Sequence, residues 1–221
     1  MNFEDTKIKA VDIPDAWFQC LSKIQEVGFK YEIQKGSFVE QTRMEFDHIS
    51  ILILNPYKEP YDLMLPQIPS HLNIDNPVAN GYVEQYMPYL MTDHIEPGEQ
   101  YTYGSRMYDQ IPYWIDIFKT TPNTNQAVLQ VAQPNDKNLD DPPCLRHIDM
   151  RIKDNKLIFY PYFRSWDLWG GFPANLAGIA VLQKSMADEI GVESGPILAS
   201  SKGLHIYGYV EKLAKLRCNK E

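Results

Sequence analysis

Cys144 stands in the stretch DDPPCLRH, residues 140–147, directly after two prolines. The prolines fix their own φ and push each preceding residue toward extended backbone, so the cysteine leaves a rigid turn rather than a helix interior. A thiol held that way is either packing or a nucleophile, and the local sequence leaves both open. Twenty residues further comes RSWD, with Arg164, Ser165 and Asp167; GFPANLA follows with Asn175, then GLHIY with His205 and Tyr207. An arginine beside a serine suits a phosphate, through charge-assisted and hydroxyl hydrogen bonds. An asparagine offers a donor group and an acceptor group to a planar, amide-like edge. That pairing describes a nucleotide. Taken singly, each residue has an ordinary structural explanation: a strand-end arginine is solvated, a first-turn asparagine caps its helix, and a histidine near a tyrosine is a satisfied core pair.

Those side chains need elements to hold them. Leu145–Ile152 and Lys156–Arg164 read as two extended runs around the turn signal Asp154-Asn155, a hairpin with Cys144 at its mouth. After it, Pro173 sits in a favourable first turn and Gly191 closes a long amphipathic helix. PILASSKGLHIYGYV predicts a short strand, a tight turn at Lys202-Gly203 and a second strand through His205 and Tyr207, with a basic-ended helix behind it. Upstream, Trp17, Leu21, Ile24 and Val27 recur at helical spacing before Gly28, and the branched run from Phe46 to Pro56 reads as a buried strand. Further helices are expected over Gly81–Thr92, with Pro88 kinking or starting it, and Tyr108–Lys119; Ala127–Ala132 is expected to be a strand. This irregular alternation predicts α+β, or mixed α/β, in a single domain over residues 1–221.

With 44% hydrophobic and 12% aromatic residues, the chain can bury a sizeable core. A net charge of −8 speaks against nonspecific nucleic-acid binding, so no DNA partner is expected and a phosphate site must rest on a few placed arginines. There is no run of eighteen apolar residues, and the N-terminus lacks a signal-peptide layout, so no membrane and a cytoplasmic location are expected. Cys20, Cys144 and Cys218 have no paired metal spacing, which argues against a disulfide framework and a zinc site; no metal is expected.

In order and spacing, PPC, RSWD, GFPANLA and GLHIY resemble the thymidylate synthase family, with its Pro-Cys nucleophile, Arg-Ser-x-Asp segment, Gly-x-Pro-x-Asn helix start and His-x-Tyr pair. The match runs from Asp141 to about Val210 with no gap between Cys144 and Tyr207. YTYGSRM, residues 101–107, is similar to the family's Val-Tyr-Gly segment, and AVLQVAQPND to the strand before the nucleophile. The short chain resembles the archaeal, methanogen-type branch. This implies a mixed β-sheet flanked by helices, in a homodimer packed sheet to sheet. It also implies methylation of dUMP to dTMP at carbon 5, with 5,10-methylene-tetrahydrofolate or 5,10-methylene-tetrahydromethanopterin as the reduced pterin donor. Carbon 5 of uracil is a poor nucleophile, so a thiolate adds to carbon 6 and turns the ring into an enolate. By the resemblance Cys144 is that thiolate, its pKa lowered by Arg164, which also grips the phosphate with Ser165. Asn175 then holds the O4 and N3 edge and the developing enolate, where an aspartate would favour cytosine. His205 and Tyr207 correspond to contacts with the deoxyribose 3′-hydroxyl, and Asp167 to a pterin contact. Glu84 is the candidate proton relay near O4, against the ordinary reading of a surface helix glutamate, and Tyr103 lines the nucleophile.

Departures from the family pattern carry their own expectations. Most members have a consecutive arginine pair that reaches the partner's phosphate; Asn125 and Gln126 stand there, so the phosphate is expected to rest more on Arg164 and Ser165 or to recruit another arginine, with Arg43, Arg106 and Arg146 as candidates. Leu145 follows the nucleophile where histidine is usual, and the chain ends fourteen residues after Tyr207, without the usual tail that closes the site. Reduced water exclusion keeps hydroxymethylation of dUMP, dCMP or CMP as the alternative reaction. A catalytically silent nucleotide-binding relative is the third reading; the retained Cys144 speaks against it, because binding alone needs no thiol.

Overall fold

Asp12 starts the first helix. It follows β1 (Asp5–Ala10), and its side chain accepts the Asp15 N–H at 2.9 Å to cap α1 (Ile13–Val27). In this computed structural model, which describes residues 3–34 and 38–220, α1 buries Trp17, Leu21 and Ile24 at the expected spacing and stops at Gly28. Next come β2 (Phe29–Glu32), β3 (Thr42–Glu45) and β4 (His48–Ile53). The middle of the chain forms α2 (Tyr82–Met91), α3 (Tyr103–Met107), α4 (Gln110–Thr120) and β5 (Val128–Gln130). Pro88 lies inside α2 rather than at its start.

The hairpin forms as expected from β6 (Leu145–Lys153) and β7 (Lys156–Phe163). Asp154 and Asn155 both take positive φ, 51° and 58°, the left-handed pair that matches the twist of a tight two-residue hairpin. Then come β8 (Trp166–Asp167), α5 (Gly171–Ile190), β9 (Glu193–Ser201), β10 (Leu204–Tyr207) and α6 (Glu211–Arg217).

The strands make two sheets, not one. The larger runs β1-β4-β9-β7-β6-β5 and the smaller β2-β3-β10-β8, both with mixed parallel and antiparallel pairing. The turn at Lys202-Gly203 therefore does not close a hairpin: the chain leaves the large sheet at Ser201 and enters the small one at Leu204. Helices α1 and α5 touch each other and pack on the large sheet, and one core cluster runs from Ala10 to Ala214 through both sheets. The architecture is mixed α+β, with sheets flanked by helices. No helix among the described residues is long and apolar enough to cross a membrane.

Candidate active site

The twenty residues between Cys144 and Arg164 are the hairpin itself. Leu145 pairs with Phe163, and just beyond that pair the Arg164 N–H donates to the Cys144 carbonyl at 2.9 Å, so sequence-distant residues become backbone neighbours. The small sheet adds the rest by register. β8 lies parallel to β10, setting Asp167 beside His205, and β10 lies antiparallel to β3, setting Tyr207 beside Arg43. Cys144, Arg164, Ser165, Asp167, His205, Tyr207 and Arg43 thus line one cavity of about 430 Å³.

Arginine charge is concentrated at the cysteine. Arg164 donates from Nε to the Pro143 carbonyl at 3.2 Å and from Nη2 to Asp141 at 3.3 Å and to the Pro142 carbonyl. Arg146 also reaches the Pro143 carbonyl, at 3.1 Å. The carbonyls of the two prolines thus tie the nucleophile turn to both guanidiniums. Burial pushes the Cys144 thiol above its ordinary value, opposed by Arg164, reinforced by Asp141 and opposed further by Arg43 and Arg146. The guanidinium effect expected from the resemblance is present, but desolvation outweighs it.

His205 is buried and neutral. Burial holds its pKa down at about 4, helped by the Arg43 charge, while its bond to the Gly203 carbonyl and Asp167 act the other way. A carbonyl only accepts, so Nδ1–H donates to Gly203 at 2.9 Å and Nε2 carries the lone pair. Nε2 has no protein partner among the described residues. Arg43 donates to the Tyr207 hydroxyl at 3.0 Å. Arg106 and Arg146 instead approach buried Asp136, at 3.1 and 3.7 Å. Asp167 holds the start of α5, accepting the N–H groups of Trp169, Gly170 and Gly171 at 3.2, 2.9 and 3.0 Å.

A second cavity, about 480 Å³, is lined by Asn175, Tyr103, Tyr82, Tyr86, Tyr89 and Glu99, with Gln85 at its edge. Tyr103 accepts the Leu145 N–H at 3.3 Å, which places its hydroxyl one residue from Cys144. The Tyr82, Tyr86 and Tyr89 rings stack in sequence, with centroids 6.0 and 5.5 Å apart. Asn175 is bonded at both ends of its amide, to Trp166 and to Tyr86.

Glu84 is not brought to either cavity. Helical periodicity buries Val83, Tyr86 and Leu90, which turns Glu84 outward to a shallow surface groove with Glu59, Pro60 and Tyr61. The sequence motifs do not single out Tyr86, Trp166 or Glu99, which the structure places at these cavities. Tyr86 was legible in the same periodicity that excludes Glu84; Trp166 and Glu99 carry no comparable local signal. Among the described residues no group of three or more His, Cys, Asp and Glu side chains could hold a metal ion.

A model of the family described as thymidylate synthase matches residues 78–221. A Methanosarcina mazei protein named "Putative thymidylate synthase" is 31% identical over 219 aligned positions, covering 94% of each chain. A Methanothermobacter marburgensis protein of the same name is 27% identical over 221 positions, covering 95% of this chain and 96% of its own. A Listeria monocytogenes protein named "Thymidylate synthase" is 29% identical over 156 positions, covering 68% of this chain and 47% of its own. With the hairpin-mounted cysteine and the arginine, serine and histidine that share its cavity, these matches establish that the chain belongs to the thymidylate synthase family.

Proposed function

We propose that this protein methylates dUMP to dTMP at carbon 5, with a methylene-tetrahydropterin as donor. The observation that carries this reading is the opening of Cys144, Arg164, Ser165 and His205 onto one cavity. Arg164 and Ser165 bind the phosphate, and Arg43, in the same cavity, is the third cationic or hydroxyl group that substitutes for the missing arginine pair. Arg106 and Arg146 are engaged by Asp136 and take no such role. The free lone pair of His205 Nε2 accepts the deoxyribose 3′-hydroxyl proton, beside Tyr207.

Cys144 Sγ, once deprotonated, bonds to carbon 6 of the ring; the C5–C6 π pair moves onto O4, and the enolate, held by Asn175, attacks the donor's methylene carbon through carbon 5. Loss of the C5 proton and departure of the pterin nitrogen leave an exocyclic methylene, and hydride from the reduced pterin turns it into the methyl group as the S–C6 bond breaks and frees Cys144. The stacked tyrosines beside Asn175 offer the pterin a flat aromatic wall. Asp167 faces the nucleotide cavity, but its carboxylate is engaged by the α5 backbone, so its contact with the pterin uses the lone pairs those N–H groups leave. We read the chain as one domain and a homodimer acting in the cytoplasm; the shared core, the half-buried apolar side chains on the second face of the large sheet and the unpaired cysteines support this.

The test is tritium release from dUMP labelled at carbon 5, since only attack at carbon 6 followed by substitution at carbon 5 frees that label. Release is expected with a reduced pterin, and mass spectrometry should find a methyl product; a hydroxymethyl product would assign the water-quenched reaction instead. No release with either pterin would sink the enzyme reading in favour of a silent binder. Cys144→Ser should bind dUMP and release no tritium, and substantial residual turnover would refute its role as nucleophile.

A further inference from the structure

We propose that Trp166 and Tyr86 clamp the Asn175 amide in one orientation, so that Asn175 reads uracil and rejects cytosine. The inference rests on the reading above, in which Asn175 faces the base. An asparagine amide can in general be turned end for end, and its partners decide which way it points. The Trp166 indole N–H is a donor with no acceptor capacity, and it meets Asn175 Oδ1 at 3.0 Å. At the other end Asn175 Nδ2 donates to the Tyr86 hydroxyl at 2.9 Å. A reversed amide would set its N–H groups against the indole N–H, donor to donor.

Neither partner is free to yield. Trp166 is 2% exposed and stacked on Phe163 at 3.9 Å and 5°, with Phe172 on it at 4.6 Å. The Tyr86 ring lies against Gly178 so closely that a Cβ there would stand 2.7 Å from its Cδ1. The clamp also leaves the amide half unused. Oδ1 keeps one lone pair and Nδ2 one N–H, an edge with an acceptor and a donor in fixed order. That edge matches the N3–H donor and O4 acceptor of uracil. Cytosine presents an acceptor at N3 and an amino donor at carbon 4, and needs the amide reversed. Trp166 and Tyr86 are therefore positioning residues that determine specificity through Asn175.

The experiment measures the affinities of dUMP and dCMP, by calorimetry, for the unsubstituted protein, for Trp166→Phe and for Tyr86→Phe. Trp166→Phe keeps an aromatic ring in the stack while removing the indole donor; the volume it also removes should weaken both nucleotides alike and leave their ratio to report the donor. The expected result is preference for dUMP in the unsubstituted protein and a fall of about tenfold in the dUMP-to-dCMP ratio in Trp166→Phe, the scale of one misdirected hydrogen bond. Tyr86→Phe frees Nδ2 while the indole donor still sets the direction, so it should lower the same ratio by less, and it decides the matter if Trp166→Phe does not fold. An unchanged ratio in the folded variants overturns the clamp, as does a parallel loss of both affinities, which marks a merely structural role; in both cases dUMP binding by the unsubstituted protein leaves the proposed function standing. If the unsubstituted protein binds neither nucleotide or prefers dCMP, both readings fall.

Discussion

His205 shows how burial sets the state of a single group. Its imidazole lies in the core at 2% exposure, and desolvation holds its pKa at about 4 against an ordinary value of 6.5. The unfolded chain takes up the proton near the ordinary value while the folded chain resists until about 4, so between those values the unfolded state binds more protons. Stability is therefore present above pH 6.5 and is lost as the pH falls toward 4, by about 3 kcal/mol from this group. Urea denaturation of the protein and of His205→Gln between pH 7 and 4 checks this: the variant should lack that share of the acid loss. Parallel curves would show that His205 is not the group titrating. At this scale Cys144, Arg164, Ser165, Asp167, His205 and Tyr207, all of which line the cavity, were legible only as a set in family order, because each taken singly has an ordinary structural explanation. Glu84 shows the limit. Its type suits proton relay, but Val83, Tyr86 and Leu90 fix which face of α2 turns inward, and Glu84 is on the other.

At the scale of elements, α2 and α5 are held together by the absence of a side chain. Gly178 admits the Tyr86 ring, with Leu90 Cδ2 at 3.3 Å from where a Cβ would lie. Gly178→Ala must push α2 away from α5 or force the Tyr86 ring out of its well, and neither the helix nor the buried ring can give cheaply. The expected cost is about 1–3 kcal/mol, read as a lower urea midpoint at unchanged slope. A midpoint equal to that of the unsubstituted protein would show that α2 moves freely on α5. The hairpin and the long helix were legible because their signals are local: a left-handed Asp-Asn turn, and a first-turn proline and closing glycine around an apolar run. β1 was not, since DTKIKA alternates charge with small or branched residues and is fixed only by parallel pairing with β4, more than forty residues away. α3 is a five-residue turn set by the reciprocal Thr102–Ser105 capping bonds, too short for any periodicity to show. The division of the strands into two sheets depends on which strands pair across the fold, a long-range choice that turn signals such as Lys202-Gly203 do not encode.

For the whole molecule the informative surface is the second face of the large sheet. On the inner face Ile49, Ile51, Ile53, Leu157, Phe159, Ile197 and Ala199 are fully buried in the core shared with α1 and α5. In β4, β7 and β9 the alternate positions point the other way, and Leu52, Ile158, Tyr160, Tyr162 and Leu198 among them are only half-buried, bordered by Ser50 and Ser200 and by His147, Asp149 and Arg151 of β6. Leu52 and Leu198 are direct partners across β4 and β9, so the patch is contiguous at its centre. A strand that is apolar on both faces belongs to a sheet covered on both faces, and here only one cover comes from the chain itself. A second copy offers the same surface, and two-fold packing of like on like closes the assembly without leaving a further patch. Light scattering on a sizing column should therefore give twice the chain mass at micromolar concentration. Leu198→Asp should give a monomer with unchanged far-UV circular dichroism, because its carboxylate is tolerated on a solvated face but not at the middle of an apolar interface. A monomeric unsubstituted protein, or a dimer untouched by Leu198→Asp, would mean that this face meets something other than its own copy.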